Sequence, residues 1–299
     1  MTAWGSLMTA KAFWSVLGCV LSFPFAAAGQ GVNPSVIDPI LGRAGQKTAD
    51  VYKLAFPRTD LHVTVRGLAI KPGLALGSWA AFTGTDSNAM VMGDLVLLEA
   101  ELNPVMDKLR SEGFEITAVQ NHLMDETPQV LYMHYMGHGP ASQLATSLKA
   151  ALSASKTPLE KPTAPAEEPA PPAWVTTVQD SVGRNGAFKG DVLSYGVPRS
   201  DEITANGTTI APAAGVAEAI NFQAADSGQV ATTGDFVLTA AEVNPVLSEL
   251  RAHQIAVTAL HSHMLTEQPR LFFLHFWAVG DPQSVGAGIK AALGRVSVK

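Results

Sequence analysis

The sequence predicts an α+β fold built from two homologous repeats, each a mainly antiparallel sheet with helices packed on one face. Three observations lead to this prediction. The segment GDLVLLEAELNPVMDKLR from Gly93 recurs, 141 positions later, as GDFVLTAAEVNPVLSELR from Gly234. Each copy alternates strand-like and helix-like hydrophobic patterns. A segment rich in Pro, Ala and Glu separates the copies. We therefore expect two repeats related by a pseudo-two-fold axis.

The chain divides into four predicted segments. Residues 1–28 are a predicted signal peptide, because Lys11 precedes the apolar run AFWSVLGCVLSFPFAAA, whose small final residues fit an A-x-A cleavage site. Residues 29–152 form repeat one, residues 153–173 the linker, and residues 174–299 repeat two. The composition of the linker indicates an extended, semi-rigid spacer.

The leader predicts a periplasmic or secreted protein. The alternative is a lipid anchor at Cys19, in the imperfect lipobox VLGC, but the apolar stretch before Cys19 is short and favours cleavage after Ala28. Cys19 is the one cysteine of the chain, so cleavage after Ala28 removes any thiol chemistry and any disulfide. The net charge of -6 argues against nucleic-acid binding. No other segment has the length and apolarity of a transmembrane span.

The elements follow the same order in both repeats. In repeat one, a short helix precedes GRAG at Gly42, and strands are predicted at VYKLAF, LHVTVRGLAI, SWAAFTG and AMVMGDLVLL. Asn103 and Pro104 predict a helix start, as N-cap and first helical residue. The strands FEITAVQNHLM and QVLYMHYMG, joined by a turn at Pro128, and the helix ASQLATSLKAAL complete the repeat. The C-terminal half is therefore strand-helix-strand-strand-helix, close to a ferredoxin-like arrangement without its final strand.

Charged residues recur at matching positions of the two repeats. Arg58 in PRTD and Arg199 in PRSD are weak candidates for binding a carboxylate or phosphate ligand. The alternative for each is an Arg–Asp ion pair at the end of a strand. Asp94 and Asp235 each follow a glycine, which favours a turn.

Histidines near Pro269 carry the main functional hypothesis. In a hairpin centred on Pro269, His263 and His275 lie opposite each other and His261 shares their face. Three imidazoles at this spacing can bind one metal ion. Trp277 lies beside them and is a weak candidate for contact with a ligand.

Repeat one keeps part of the same pattern. His122 and His134 occupy the equivalent positions, His138 lies on the same strand face as His134, and Gln120 replaces the first histidine. If the repeats pack about a pseudo-two-fold axis, both sets face one cleft. Zinc and copper are the expected ions, because imidazole suits both and Met136 slightly favours copper.

Three functions remain open from the residues alone. The first is binding of a transition metal or a small polar ligand through the histidines. The second is a metal-dependent hydrolase with Glu267 or Glu126 as the general base. The third is a non-catalytic envelope interaction module whose histidines only support packing. No nucleotide cofactor is expected, because the sequence contains no phosphate loop or dinucleotide fingerprint.

Longer motifs resemble a known family. GSWAAFTG, GDLVLLEAELNPVM and NHLMDETPQVLYMHYMGHG in repeat one, and HSHMLTEQPRLFFLHFWAVGD in repeat two, resemble the LppY/LpqO-like family, also called domain of unknown function 1259. The resemblance covers both repeats and implies an exported bacterial protein, sometimes lipid-anchored, with no established activity. The family pattern reads H-N-H before the turn and H-x-x-G-H-G-D after it. Repeat one departs at Gln120, and repeat two at Ala278 and Val279, which favours one composite site or one degenerate site.

Overall fold

The computed structural model of the protein describes residues 1–2, 31–160 and 170–299. Apart from its first two residues, the predicted signal peptide, with Cys19, lies outside the described residues, and so does the middle of the predicted linker. Within the described part of the chain, no helix is long and apolar enough to cross a membrane.

The two repeats contain matching series of elements. In repeat one the helices are α1 (Pro34–Leu41), α2 (Pro72–Ala75), α3 (Glu99–Ser111) and α4 (Ala141–Leu152), and the strands are β1 (Gln46–Thr48), β2 (Val51–Pro57), β3 (Thr64–Val65), β4 (Leu68–Ala69), β5 (Gly77–Gly84), β6 (Ala89–Leu98), β7 (Glu115–Gln120), β8 (Glu126–Thr127) and β9 (Val130–Gly139). In repeat two the helices are α5 (Ala173–Val182), α6 (Ala240–Ala252) and α7 (Pro282–Leu293), and the strands are β10 (Ala187–Lys189), β11 (Val192–Pro198), β12 (Ile203–Ala205), β13 (Thr208–Ile210), β14 (Ala217–Ala224), β15 (Val230–Thr239), β16 (Ala256–His261), β17 (Glu267–Gln268) and β18 (Leu271–Gly280).

Each repeat forms one six-stranded antiparallel sheet. The strand order is β1-β2-β5-β6-β9-β7 in repeat one and β10-β11-β14-β15-β18-β16 in repeat two. Small sheets of order β4-β3-β8 and β13-β12-β17 accompany them. The prediction of two α+β repeats with antiparallel sheets is confirmed. The predicted half-repeat lacks the final strand of a ferredoxin-like arrangement. In the structure β5 takes that place beside β6 in repeat one, and β14 takes it beside β15 in repeat two.

The two sheets pack face to face, with the longer helices outside and the short helix α2 between the sheets. Because successive side chains of a strand point to opposite faces, β9 serves two cores. Met133 and Tyr135 pack against the helices of repeat one, whereas Tyr132 and Met136 face the other sheet. Two apolar clusters on this inner face each combine residues of both repeats. The architecture is therefore helix–sheet–sheet–helix, and the site described below lies between the sheets.

Helix α3 begins earlier than the Asn-Pro signal predicts. Asn103 and Pro104 lie inside the helix, which starts at Glu99, so the predicted start is wrong. The reason is a contact three residues into the helix: the Glu101 carboxylate accepts the backbone N–H of Leu98 at 2.9 Å and stabilises the first turn. Because Pro104 lies close to the N-terminus of α3, its missing N–H removes only one intrahelical hydrogen bond.

Asp94 and Asp235 are strand residues, the first buried and the second partly exposed, so their interpretation as turn residues is wrong. They lie within the long strands β6 and β15, on the inner faces of the sheets. The glycine before each aspartate allows close backbone approach instead of a turn. A Cβ on Gly234 would lie 1.9 Å from the carbonyl oxygen of Ala219 on β14.

The first part of the predicted linker packs against repeat one. The Arg43 guanidinium donates a hydrogen bond to the carbonyl of Pro158 at 2.8 Å. The backbone N–H of Lys156 donates to the Glu101 carboxylate at 2.8 Å. Residues 153–160 are thus held on the first repeat before the chain passes to the second.

Gly234→Ala is expected to destabilise the protein by about 2 kcal/mol or more, because the added methyl group must displace the backbone of β14. Urea denaturation followed by circular dichroism measures this loss. Gly196→Ala on β11 is the matched control, since nothing lies within 4 Å of its added Cβ. Equal losses in the two variants would contradict the close-approach interpretation.

Candidate metal centre

Five histidines from both repeats meet between the two sheets. His134 lies on β9 and His275 on β18, His261 ends β16, and His122 and His263 follow the edge strands β7 and β16. His122 stacks on His275, and His134 stacks on His263, each with ring centroids 3.6 Å apart. Exchange of the repeats converts one stacked pair into the other, so the pseudo-two-fold axis passes through this cluster.

The strand register around the histidines differs from the predicted hairpin. His275 lies opposite Ala259 on β16, so the prediction that it lies opposite His263 across a ladder is wrong. The reason is that β17, just before Pro269, leaves the hairpin and pairs with β12 in the small sheet. His263 nevertheless reaches the cluster from its loop, with its ring centroid 5.9 Å from that of His275.

The nitrogen atoms of the cluster have metal-binding spacing. Two groups of side chains have possible ligand atoms that all lie within 4.8 Å of one another. One group is His122, His261, His263 and His275, and the other is Asp94, His122 and His134. The larger group takes one residue from repeat one and three from repeat two. It is therefore a composite site, and neither repeat supplies it alone.

Several imidazole nitrogens of the cluster are buried without a partner among the described residues. They are Nε2 of His134, His261, His263 and His275, and also Nδ1 of His261. A buried polar atom left unpaired costs about 1–3 kcal/mol, so such atoms are rare and do not normally gather in one place. The unpaired nitrogens fit a metal ion, which takes up imidazole lone pairs as ligand bonds.

A carboxylate orients one of these imidazoles. His275 Nδ1 donates a hydrogen bond to the Asp235 carboxylate, which leaves Nε2 with a free lone pair. A carboxylate–histidine pair of this kind orients a metal-binding ring and increases its basicity. Although burial alone would raise it, the pKa of Asp235 lies below its ordinary value, because His275 attracts the carboxylate and donates a hydrogen bond to it.

The equivalent pair in repeat one is looser. Asp94 Oδ1 lies 3.8 Å from His134 Nε2, and both atoms lack a hydrogen-bond partner within the described chain. Burial raises the pKa of Asp94 well above its ordinary value, and the charge of Asp235 raises it further. The two sides of the cluster therefore differ in charge as well as in residue type.

Four of the five histidines, His122, His134, His261 and His263, have lowered pKa values that favour the neutral ring. Burial lowers the pKa of His134 to about 3 and that of His261 to about 4. Burial, reinforced by the neighbouring imidazoles, lowers the pKa of His122 and His263 well below the ordinary value. Since only the neutral ring can bind a metal, the environment selects the form that metal binding requires.

Lys53 is a candidate that the sequence analysis missed. Its ammonium rests 3.9 Å from the ring centroid of Trp79, within a cleft of about 230 Å³ that reaches His122 and His275. Burial lowers the pKa of Lys53 to about 8, and the nearby carboxylates oppose this shift.

The sequence contains a signal for Lys53. In VYKLAF, Tyr52 and Leu54 belong to the outer core, so the strand alternation places Lys53 on the inner face. From the sequence alone, a charged residue on the strand face opposite the apolar core is expected to be exposed to solvent. The packing of one sheet on the other covers this face instead.

The two predicted arginines lie elsewhere and have structural partners. Each guanidinium is almost fully buried. Arg58 contacts the end of β6 and the first turn of α3, and Arg199 contacts the end of β15 and the first turn of α6. The partners are Asp60, Glu101 and the Val96 carbonyl for Arg58, and Asp201, Glu242 and the Val237 carbonyl for Arg199. Neither arginine lines the cleft beside the histidines.

The predicted general bases are also outside the cluster. The Glu267 carboxylate accepts the backbone N–H of Leu271 at 3.1 Å and contacts Arg270 at 3.3 Å. Glu126 lies on β8, opposite Val65 of β3. Among the described acidic residues, those grouped with or bonded to the histidines are Asp94 and Asp235.

The remaining predicted residues do not join the metal-binding groups. Trp277 and Met136 lie on the inner faces but pack in the apolar clusters on either side of the histidines. His138 is exposed and lies four residues beyond His134, about 13 Å along the strand.

The sequence matches a family described as Domain of Unknown Function (DUF1259) over residues 35–154 and 176–295. A comparison with curated proteins finds no match. Among solved structures, the trimeric bacterial microcompartment shell protein PduB is 13% identical, covers 85% of this chain and 89% of its own, and has a TM-score of 0.21. EtuB from Clostridium kluyveri is 11% identical, with coverages of 84% and 89% and a TM-score of 0.20. Such TM-scores support no conclusion about this chain.

In metal-free protein, His134→Gln is expected to reduce the stability lost on acidification. The pKa of His134 is about 3 in the folded chain and 6.5 ordinarily, so between these values the unfolded chain binds the extra proton. The stabilisation from the neutral ring is therefore complete above pH 6.5 and falls by about 1.4 kcal/mol per pH unit below it.

Urea denaturation of chelator-treated protein at about pH 7 and pH 5 measures this slope. His62→Gln is the control, because His62 is exposed and should leave the wild-type slope unchanged. If His134→Gln has the wild-type slope, the buried ring does not control the acid sensitivity.

Proposed function

The chain belongs to the family Domain of Unknown Function (DUF1259), as two domains in tandem, and we propose that it binds one transition-metal ion between them. The observation that carries this proposal is the convergence of imidazoles from both repeats, with nitrogens of His261, His263 and His275 that lack partners within the described chain. A metal ion satisfies these nitrogens without the cost of burying a charged histidine.

The proposed ligands are His122, His261, His263 and His275. Four imidazoles without a thiolate suit zinc or copper, as either ion prefers nitrogen donors of intermediate softness. Met136 packs in an apolar cluster, so a methionine ligand no longer favours copper. The proposed location is the periplasm or the exterior, supported by the leader pattern in residues 1–28 and by the family resemblance.

A metal-dependent hydrolase is the second candidate. The cleft of about 230 Å³ reaches His122 and His275 and would give a small substrate access to the ion. In that case Asp94 is placed better for a general base than Glu126 or Glu267, because it lines the cleft and neither glutamate does.

Protein purified without a nickel column is expected to contain one zinc or copper ion per chain, measured by inductively coupled plasma mass spectrometry. His261→Asn and His263→Asn should each weaken metal binding at least tenfold, since each removes a ligand nitrogen. His138→Asn is the control on the same face of β9 and should bind like the wild type. Protein that retains no metal, and whose melting temperature does not change with zinc or copper, would disprove the proposal.

Asp235→Asn is expected to weaken metal binding about 10–100-fold, because the amide no longer holds His275 with Nδ1 protonated and Nε2 free. Titration with a competing chelator measures the affinity. Asp201→Asn serves as the control, since Asp201 pairs with Arg199 and not with a histidine. Wild-type affinity in Asp235→Asn would contradict the assigned role of this carboxylate.

A further inference from the structure

Lys53 has no function in the proposed metal site, and its ammonium faces the same cleft. It forms no hydrogen bond or ion pair with any other described side chain, and it lies 3.9 Å from the centroid of the Trp79 ring. The cleft places it with Asp94, Asp235, His122 and His275. A buried ammonium costs free energy unless a charge or hydrogen-bond acceptor compensates it.

The fold does not require a lysine at this position. The matching residue of repeat two is Ser194, on β11, at the same place in a strand with the same burial pattern as β2. The apolar neighbours of Lys53 on β2 are sufficient to hold that strand, as their counterparts do on β11. The lysine is therefore an addition to one side of a symmetric framework, facing the histidines.

The charges in the cleft favour an anion once a metal ion is bound. Lys53 carries one positive charge, and Asp94 and Asp235 together carry at most two negative charges. Imidazoles that bind a metal ion do so as neutral rings, so a divalent ion brings the total of formal charges to at least one positive charge. A bound divalent cation favours the ionised form of both carboxylates, so a monoanion matches this surplus, whereas a dianion such as phosphate exceeds it.

The size and lining of the cleft further restrict the class of ligand that it can bind. A volume of about 230 Å³ admits a molecule of a few heavy atoms. Leu74, Ala75 and Trp79 form an apolar wall beside the charged groups. This combination fits a short carbon chain that ends in one charged group.

We propose that the cleft binds a small monocarboxylate, with one oxygen on the metal ion and the other accepting a hydrogen bond from the Lys53 ammonium. This inference rests on the proposed function, because the carboxylate needs the ion as its second partner. Lys53 thereby sets the charge and the orientation of the molecule that reaches the metal.

The test uses the full protein loaded with Co²⁺, whose visible absorption reports its ligands. Binding of Co²⁺ is measured first, and its absence would contradict the metal proposal itself. Propionate is then expected to change the Co²⁺ spectrum saturably, whereas uncharged propionamide should not. This comparison on the wild type does not depend on any variant. A spectrum that propionate leaves unchanged, or that both compounds change equally, would overturn the monocarboxylate assignment.

Lys53→Met removes the charge and keeps the length of the side chain. It should bind Co²⁺ at least as tightly as the wild type, because a positive charge near the ion is lost, and it should bind propionate about tenfold more weakly or worse. Lys47→Met, an exposed lysine on the neighbouring strand β1, is the matched control. Equal propionate affinity in Lys53→Met and the wild type, or tighter binding of inorganic phosphate than of propionate, would overturn the inference.

Discussion

The contact between the inner faces of the two sheets is the constraint on which the site depends. Apolar clusters beside the histidines combine residues of both repeats and hold the two sheets together. A polar group placed there must find a partner or remain neutral. The lowered histidine pKa values, the raised pKa of Asp94 and the unpaired nitrogens all follow from this one packing arrangement.

The repeats share a symmetric framework but carry different side chains on it. The two histidine stacks and the two inward-facing aspartates, Asp94 and Asp235, obey the pseudo-two-fold relation. His261 and Lys53 break it, because Gln120 and Ser194 occupy the equivalent positions. A duplicated domain can in this way keep its packing while the residues around the axis specialise. The result is a centre to which each repeat contributes different chemistry.

Local sequence signals failed where tertiary contacts outweighed them. Asn103 and Pro104 are a typical helix start, but the carboxylate of Glu101, held by Arg58, moves the start of α3 to Glu99. Glycine followed by Asp94 is typical of a turn, but here the glycine permits close strand approach. In both cases a residue distant in sequence decides which of two local conformations is the more stable.

The sequence by itself determined the duplication, the order of helices and strands, and the histidines as the candidate ligands. These depend on residue type and local periodicity, which a single chain displays directly. Only the tertiary structure decided that His122 meets His261, His263 and His275, and that Lys53 faces them. Strand register and sheet-on-sheet packing arise from contacts between distant segments, and no local pattern specifies which covered faces meet.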